Sequence, residues 1–413
     1  MNGDESFDLI IAGGGFVGLT LARAMSFAAK GRMRICVIDR VPLSTMVKAE
    51  PNGRAFAISA SSRRMLEVLD VWRHVGDAAQ PVTAFDITDS PLHSPLRPVL
   101  LQIDSEVAPG EPSAHIVENH DLLRALAATV HGDKAISVLA PDKVLGFIRN
   151  DYSISVQRAN GSSVGASLLV AADGRKSSLR DFAQIKTVKW AYPQVGIVTT
   201  VGHEKPHHGR AVQHFLPAGP FAILPLKGNR SSLVWTETSE TGRTIMESDD
   251  DAFLDALRER FGSRLGSLSI AGPRFAYPLD FHLARQFTAD RFALVGDAAH
   301  GVHPIAGLGF NIGLRDVAAL TEVVIDASRL GLDIGSETIL KRYQRWRRFD
   351  SAFSALVMDG LNRLFSSDNA PIRTVRDLGI GLVDRAPLLK RFFVQEAAGF
   401  SGDVPRLLKG ETL

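Results

Sequence analysis

The sequence is poor in the features that mark several classes of protein. Cys36 is its one cysteine, which excludes an internal disulfide framework and fits a reducing compartment. Its 47 basic and 45 acidic residues leave a net charge of +2, which argues against nucleic acid as the main partner. No stretch approaches the roughly 20 apolar residues of a membrane span, the acidic first residues do not resemble a signal peptide, and no cluster has metal-ligand spacing. These features predict a cytoplasmic, globular protein without a metal site.

The first forty residues contain a pattern typical of dinucleotide-binding domains. An apolar run, residues 7–12, predicts a buried strand that leads directly into a GxGxxG pattern formed by Gly13, Gly15 and Gly18. A second predicted strand ends at Asp39, where an acidic side chain would meet a ribose hydroxyl. The first glycine permits the turn, the second lets the backbone approach a pyrophosphate, and the third lets helix and strand pack. We therefore favour dinucleotide binding over a ligand-free glycine turn, with FAD and NAD(P) both open.

Residues 291–316 narrow the choice of ligand. A short apolar run ends in Gly296 and Asp297, a Pro/Gly-rich loop follows, and a helix is predicted to begin near residue 307. The strand delivers a carboxylate to its carboxyl end, and the helix start leaves N–H groups free to attract negative charge. A carboxylate that binds hydroxyls, beside an electropositive helix end, suits a polyol chain joined to an electron-accepting ring. That description fits FAD.

The middle of the chain changes to an alternating pattern. Short strands separated by turns fill residues 192–237 and predict an antiparallel sheet, which would form a wall over the cofactor. Most apolar residues in such a pattern are simply core. Four of them are nevertheless candidates for contact with a substrate: Phe215, Phe221, Ile223 and Trp235.

Three segments together resemble the fingerprints of the single-component flavoprotein aromatic hydroxylases: GGGFVG at 13–18, ADGRKSSLR at 172–180 and VGDAAHGVHPIAGLGFN at 295–311. Further stretches resemble the ubiquinone-biosynthesis hydroxylase family, namely IVEN at 116–119, YPQ at 192–194, GPFAILPL at 219–226, HPIAG at 303–307, RY at 342–343, Arg347 and MDGL at 358–361. Two positions depart from the family pattern. Leu308 stands where relatives often carry Gln, and His120 stands nearest to the Arg or Gln that many aromatic hydroxylases direct to the FAD phosphates.

The resemblance implies an α/β fold like that of para-hydroxybenzoate hydroxylase. It consists of a Rossmann-like FAD-binding domain, an inserted antiparallel β-sheet substrate domain and a helical C-terminus. Residues 1–78, 113–185 and 275–330 would form the discontinuous FAD-binding domain. Residues 79–112 and 186–274 would form the substrate domain, and residues 331–413 the C-terminal helical region.

The resemblance also assigns the first half of the candidate cofactor site. Gly13, Gly15 and Gly18 would hold the pyrophosphate, and Asp39 would bind the adenosine ribose. Arg54 would lie beside the pyrophosphate or the flavin, as a fixed cation next to an anion.

The second half of the site falls in the other two fingerprints. Asp173 and Gly174 would serve FAD and the nicotinamide, and Arg180 would pair with Asp173 or with a phosphate. A helix-capping turn would explain Asp173 alone. Gly296 and Asp297 would bind the ribityl hydroxyls. Gly309, Phe310 and Asn311 would direct backbone N–H groups to the flavin pyrimidine ring, and Gly307 would also belong to the cofactor site.

The implied reaction is cofactor chemistry directed by the protein. FAD, reduced by NAD(P)H or a protein electron donor, would form a flavin 4a-hydroperoxide with dioxygen and hydroxylate the ring of a polyprenylated phenol in ubiquinone biosynthesis. Such an intermediate requires an apolar site that excludes water. No catalytic residue stands out, although His300, His303 and Pro304 lie near the flavin motif. A reductase or hydroxylase of another apolar substrate, and a non-catalytic FAD-binding subunit of a biosynthetic complex, stay open as alternatives.

The C-terminal part carries a cluster of basic residues, for which two interpretations stay open. A solvated helix face would explain the cluster. Alternatively, the basic and aromatic residues would seat the protein on the inner face of a membrane or on other ubiquinone-biosynthesis proteins. The cluster comprises Lys341, Arg342, Arg345, Arg347 and Arg348, interleaved with Tyr343 and Trp346.

Overall fold

The computed structural model describes residues 6–92, 97–301, 309–348, 390 and 394–413. Predictions made for His303, Pro304, Gly307, Leu308 and residues 358–361 lie outside these ranges. The described helices are α1 (Phe16–Ala28), α2 (Leu43–Lys48), α3 (Ala60–Val68), α4 (Trp72–Val75), α5 (Asn119–His131), α6 (Ser178–Phe182), α7 (Ser239–Glu247), α8 (Asp250–Phe261) and α9 (Gly309–Arg329). Residues 337–348, residues 394–397 and Arg406–Lys409 are also helical.

The described strands alternate between four sheets along the chain. They are β1 (Ser6–Ala12), β2 (Ile35–Ile38), β3 (Ala55–Ser59), β4 (Gln80–Pro81), β5 (Ala84–Asp89), β6 (Val99–Asp104), β7 (Glu106–Ala108), β8 (Glu111–Pro112), β9 (Ala114–Glu118), β10 (Ile136–Leu139), β11 (Val144–Arg149), β12 (Ile154–Arg158), β13 (Ser163–Ala171), β14 (Thr187–His203), β15 (Arg210–Leu216), β16 (Gly219–Leu226), β17 (Arg230–Thr238), β18 (Leu268–Ile270), β19 (Phe275–Ala284), β20 (Thr288–Ala289), β21 (Phe292–Leu294) and β22 (His300–Gly301).

The first large sheet is the predicted nucleotide-binding sheet. Its strands run in the order β10-β2-β1-β13-β12-β11, and β21 pairs with β13. The pairs among β10, β2, β1, β13 and β21 are parallel. Both faces of a parallel sheet are covered, so its strands are apolar throughout, and Leu9, Ile10 and Ile11 are fully buried. Helix α1 packs against both α5 and α9 beside the sheet. The carboxyl ends of β1, β13 and β21 therefore meet at one edge, where ligands of such sheets bind.

The second large sheet has the order β22-β19-β14-β17-β16-β15-β5-β6, with β18 on β14. Its outer face packs on α7 and α8, whose buried residues include Ile245, Phe253 and Leu257. Pairing between β14 and β19 is interrupted between Ala191 and Val195 by a bulge. The other face of this sheet turns toward the carboxyl edge of the first sheet. This two-sheet arrangement confirms the expected α/β fold with an inserted, largely antiparallel sheet.

Two details bear on the predicted organisation of the chain. Strand β19, assigned from sequence to the FAD-binding portion, pairs with β14 in the second sheet. The predicted domain boundary at residue 275 therefore falls just before a strand that belongs to the second sheet and also lines the cleft. At the other end, the helical residues 337–348 pack on the core through Leu340 and Tyr343, which are both fully buried. None of the described helices is long and apolar enough to cross a membrane.

Candidate functional site

The glycine-rich turn between β1 and α1 forms one end of the site. A side chain at Gly18 would overlap the carbonyl oxygen of Gly13, and one at Gly13 would overlap that of Ala172. Gly13 also has φ +112°, which only glycine adopts without strain. At Gly15, by contrast, nothing lies within 4 Å of the position that a Cβ atom would occupy. The first and third glycines are therefore needed for packing, while the second opens the backbone to the cleft.

A cavity of about 340 Å³ lies beside this turn, lined by Gly13, Gly15, Asp39 and Gly174 among others. Asp39 is fixed by its neighbours, because its Oδ2 accepts from Gly14 N–H at 2.6 Å and its Oδ1 accepts from Val41 N–H at 2.8 Å. Each carboxylate oxygen retains a second lone pair for a hydroxyl. The position at the end of β2 is the one expected for a ribose-binding carboxylate.

A second cavity of about 390 Å³ continues from the first, and the two share Gly15, Ala172 and Gly174. The second cavity reaches Asp297 on one side and the second sheet on the other. The structure thus brings the three predicted fingerprints together around one elongated cleft. Such a cleft has the extended form that a dinucleotide requires.

The turn that carries Asp297 is held through three consecutive backbone groups. Gly296 N–H donates to Asp316 Oδ2 at 2.9 Å, His282 Nε2 bonds the Asp297 carbonyl at 2.9 Å, and Arg180 Nη1 donates to the Ala298 carbonyl at 3.0 Å. Burial lowers the pKa of His282 to about 4, so the ring is neutral at pH 7 and its single hydrogen must lie on Nε2. The Asp297 side chain is left exposed to the cleft.

Arg180 has contacts that differ from those predicted. Its guanidinium binds the carbonyl groups of Ala298 and Arg175, and its Nε lies 3.6 Å from Asp181. Among the described residues, Arg180 does not line either cavity of the cleft. Arg180 therefore joins the second fingerprint to the third. A direct bond from Arg180 to the cofactor stays a prediction.

Helix α9 begins at the cleft with Gly309 and Phe310, which line the second cavity. The Phe310 ring stacks on Phe56 at 4.5 Å, and Phe16 packs edge-on against Phe56 at 4.9 Å. The Asn311 side chain is used differently: its Oδ1 accepts from Ser59 N–H and its Nδ2 donates to the Ala57 carbonyl. This residue therefore ties the helix start to β3, while the predicted contact of its backbone N–H with a flavin remains open.

Charged and phenolic groups surround the wider end of the cleft. The Arg54 guanidinium lies 5.5 Å from the centre of the Tyr277 ring, and Arg175 forms an ion pair with Asp280. Burial raises the pKa of Tyr277, so its hydroxyl is a neutral donor at pH 7. Sequence reasoning singled out Arg54 but missed Tyr277 and Asp280, because β19 carries no local motif.

Two buried acceptors at the cleft test whether FAD fits these residues. Asp173 Oδ1 and Asn119 Oδ1 are buried without a hydrogen-bond partner among the described residues. A buried acceptor without a donor is costly, so both atoms suit a ligand that brings hydroxyl or N–H groups. With the open backbone at Gly15 and the carboxylates of Asp39 and Asp297, the residues present fit a flavin dinucleotide. Asn119 was missed from the sequence, where its neighbour His120 was considered instead; His120 lines a separate surface cavity.

The structure corrects the predicted substrate wall. Phe221 and Trp235 pack edge to face in the cluster between the second sheet and α8, on the face turned away from the cleft. Ile223 shares that face and lines a separate groove of about 1060 Å³. Two arginines of this groove, Arg210 and Arg264, both form ion pairs with Asp86. Because both faces of the sheet are buried, alternation could not reveal which one meets the cleft.

The wall of the cleft is formed by strand residues that point to the face opposite that of Phe221, Ile223 and Trp235. Val198, Leu224 and Val234 line the second cavity, and Val198 lies opposite Val234 in the pairing of β14 with β17. Phe215 pairs with Pro220 of β16, which lies four residues before Leu224. Because alternate residues of a strand share one face, Phe215 belongs to the cleft-side face. Of the four residues predicted to meet substrate, Phe215 therefore lies on the cleft-side face, and the other three lie on the opposite face.

The basic C-terminal cluster is not one surface. Lys341, Arg342, Arg345 and Arg348 are exposed on residues 337–348. Arg347 is buried and donates to Asp316 Oδ1 at 2.8 Å, and the buried Tyr343 hydroxyl donates to the Leu294 carbonyl. The interpretation of the cluster as a surface is therefore wrong for Arg347 and Tyr343.

Comparisons with known proteins agree with this geometry. A model of the FAD binding domain family matches residues 6–351. The chain is 41% identical to ubiquinone hydroxylase UbiL of Rhodospirillum rubrum, over 99% of this chain and 94% of that protein. It is 32% identical to 3-demethoxyubiquinol 3-hydroxylase of Escherichia coli, over 96% and 99%, and 31% identical to the mitochondrial ubiquinone biosynthesis monooxygenase COQ6 of Danio rerio, over 94% and 88%.

Solved structures support the same fold. The p-nitrophenol 4-monooxygenase PnpA of Pseudomonas putida superposes with a TM-score of 0.79 at 18% identity, covering 97% of this chain and all of that one. At that identity the likeness establishes the fold alone. Together, the family model, the full-length relatives and the fingerprint cleft show that the chain belongs to the FAD-dependent ubiquinone-biosynthesis hydroxylases.

Proposed function

We propose that this protein hydroxylates the aromatic ring of a polyprenylated phenol on the route to ubiquinone. The observation that carries the proposal is the cleft itself, where the Asp297 turn faces an apolar sheet wall. The 41% identity to a ubiquinone hydroxylase over almost the whole chain supports the same substrate class. In this reaction one oxygen atom of O2 enters the ring, and the other leaves as water, which takes two electrons from the reductant and two protons.

FAD, when bound, would supply the activation of dioxygen, with NAD(P)H or a protein donor as the source of electrons. The chain would bind its pyrophosphate at Gly13, Gly15 and Gly18 and its adenosine ribose at Asp39. Asp173 and Asn119 would accept hydrogen bonds from the cofactor with their unpartnered oxygens. Asp297 and Gly309 line the wider end of the cleft and, with Gly296 beside them, would hold the ribityl and ring portions.

The second sheet would supply the environment for oxygen transfer. Val198, Leu224 and Val234 present methyl groups to the cleft and would keep water from the reacting atoms. The half-buried Tyr277 adds a neutral hydroxyl at the same end, near the Arg54 charge. We infer that the phenol ring lies between this wall and the flavin.

Isotope labelling tests the proposal. The reduced holoenzyme should convert a prenylated phenol, under labelled O2, into a product that carries one labelled oxygen, measured by mass spectrometry. Consumption of O2 with release of hydrogen peroxide and no labelled product, for phenols with both short and long chains, would refute the hydroxylase function.

Substitution of Asp297 tests the cofactor site separately. Asp297→Ala should weaken FAD binding about tenfold to a hundredfold, because hydrogen bonds to a charged group contribute about 1.5–3 kcal/mol. Asp290→Ala removes an exposed carboxylate from the turn before β21 and serves as the control. Full FAD occupancy in Asp297→Ala, measured by flavin fluorescence titration, would contradict the ribityl assignment.

We also propose contact with the membrane surface that holds the prenylated substrate. The exposed cations of residues 337–348, Lys341, Arg342, Arg345 and Arg348, would face anionic lipid headgroups. Reversal of these four charges to Glu should reduce co-sedimentation with anionic liposomes and leave FAD content unchanged. Equal co-sedimentation of the two proteins would exclude this surface as the contact.

A further inference from the structure

We propose that His300, Asp316 and Arg347 form a buried positioning network, which sets the Gly296–Asp297 turn for FAD and couples cofactor affinity to the 337–348 helix. The proposal rests on the FAD site at Asp297 described above. It assigns a function to three buried polar residues that the proposed reaction does not itself use.

Asp316 is the centre of the network. It lies on α9, is completely buried, and accepts hydrogen bonds from three residues outside that helix. Gly296 N–H donates to Oδ2 at 2.9 Å, His300 Nε2 bonds Oδ2 at 2.6 Å, and Arg347 Nε donates to Oδ1 at 2.8 Å. One carboxylate therefore joins the cofactor turn, the cleft wall and the C-terminal helix.

The electrostatics keep this carboxylate ionised. Burial alone would raise its pKa, but the charges and hydrogen bonds of His300 and Arg347 hold the pKa of Asp316 below its ordinary value. A buried carboxylate and a buried guanidinium are each strongly unfavourable without the other. Loss of one member therefore weakens the compensation of the buried charges that remain.

The position of the network points to the cofactor and not merely to packing. Gly296 has φ +58°, so the turn depends on a conformation that glycine adopts readily. The hydrogen bond to Asp316 fixes the direction of the Gly296 N–H group. Asp297 follows immediately, and its carbonyl is held from the opposite side by His282. His300 itself lines the cleft. A shift of Asp316 would therefore move the carboxylate that is proposed to bind the ribityl chain.

Arg347 extends the network to a distant part of the sequence. It lies 31 residues beyond Asp316, on residues 337–348, and only 1% of its side chain is exposed. Coupling between two sites is reciprocal for binding free energies. If order in this helix favours the turn that binds FAD, then FAD must favour order in this helix.

The ion pair between Glu237 and Arg260 offers a matched control. It has side-chain exposures of 6% and 7% and an Nε–Oε1 distance of 2.8 Å, and it lies in the outer part of the second sheet against α8. Asp316→Asn and Glu237→Gln each remove one buried negative charge and keep the side-chain shape. Both should lower the melting temperature of the full-length protein.

The two variants should separate in cofactor binding. Asp316→Asn should raise the Kd for FAD at least tenfold by fluorescence titration and broaden the visible flavin spectrum, whereas Glu237→Gln should leave both unchanged. An equal rise of Kd in the two variants, or no rise in Asp316→Asn, would overturn the proposal. If Asp297→Ala releases FAD and Asp316→Asn does not, the network fails while the proposed FAD site stands.

Hydrogen exchange tests the coupling in the wild-type chain and requires no variant to fold. Addition of FAD to the full-length apoprotein should slow amide exchange in residues 337–348, as well as at the cleft. Exchange in residues 337–348 that does not change with FAD, while the glycine turn at 13–18 becomes protected, would refute the coupling. That outcome would still confirm cofactor binding, so the two proposals are distinguishable.

Discussion

Leu233 and Val234 are adjacent in β17 and have different surroundings. Leu233 packs in the cluster between the second sheet and α8, whereas Val234 lines the cleft. The sequence shows that both are apolar strand residues, but it does not show which face meets the cofactor, since both faces are buried. The structural roles of two glycines were easier to predict from the sequence. Gly13 was correctly assigned to the turn and Gly18 to helix packing, because a GxGxxG pattern permits few backbone arrangements.

Enlargement of these two residues should have opposite consequences. Val234→Phe should occupy space in the cleft and raise KM for the phenol about tenfold, as one poorly accommodated group in a hydrophobic pocket costs about 1–3 kcal/mol. Leu233→Phe should instead overpack the outer cluster and lower the free energy of unfolding by about 1–3 kcal/mol, with KM unchanged. Steady-state kinetics and urea denaturation of both variants test the assignment. A higher KM in Leu233→Phe alone would mean that the faces are reversed.

At the scale of elements, local pattern predicted the strands of the first sheet well and the contacts of the second poorly. Apolar runs such as residues 7–12 and 168–171 each became a parallel strand, because the flanking glycines and Asp residues limit where such strands end. Strand β19 lacked such signals. Its role depends on pairing with β14, whose Thr187 lies 97 residues before its partner Ala284, and such pairing leaves no trace in local sequence.

The turn between β1 and α1 gives a prediction at this scale. Gly18→Ala should destabilise the protein by about 3 kcal/mol, because its Cβ would overlap the Gly13 carbonyl and separate the helix from the strand. Gly15→Ala should leave the melting temperature unchanged, because its Cβ would meet open space, but it should weaken FAD binding by filling the pyrophosphate position. Thermal melts of both apoproteins, followed by FAD titration, check the contrast. Equal destabilisation by the two substitutions would contradict it.

At the scale of the whole molecule, buried histidines link stability to pH. Burial lowers the pKa of His115, His214 and His282 to about 4, compared with 6.5 for an exposed histidine. Between pH 6.5 and 4 these side chains are neutral in the folded protein and protonated in the unfolded chain. The unfolded state then binds more protons, so stability is complete above pH 6.5 and is lost as pH falls toward 4.

Replacement of one of these histidines should weaken that dependence. His214→Gln should reduce the slope of unfolding free energy against pH by up to about 1.4 kcal/mol per pH unit between pH 4 and 6.5, the value for one proton. Denaturation at several pH values measures the slope, with the exposed His131→Gln as the control. An unchanged slope in His214→Gln would show that this histidine does not take up a proton on unfolding.

Fold class and family could be predicted for the whole molecule because three motifs, spread over most of the chain, are specific to one type of flavoprotein. The link from the cofactor turn to the C-terminal helix could not be predicted from the sequence. Gly296, Asp316 and Arg347 are far apart in sequence, and no periodicity or motif relates a buried arginine to a distant carboxylate. Such links arise only when packing excludes water from both partners.

The single, fully buried thiol of Cys36 has a practical consequence. A fluorophore that reacts with thiols would find no accessible native target in the folded protein, so one engineered cysteine would be labelled alone. Lys341→Cys would place a dye on the exposed side of the 337–348 helix without removal of any native residue of the core. The response of that helix to FAD could then be observed in real time, one molecule at a time.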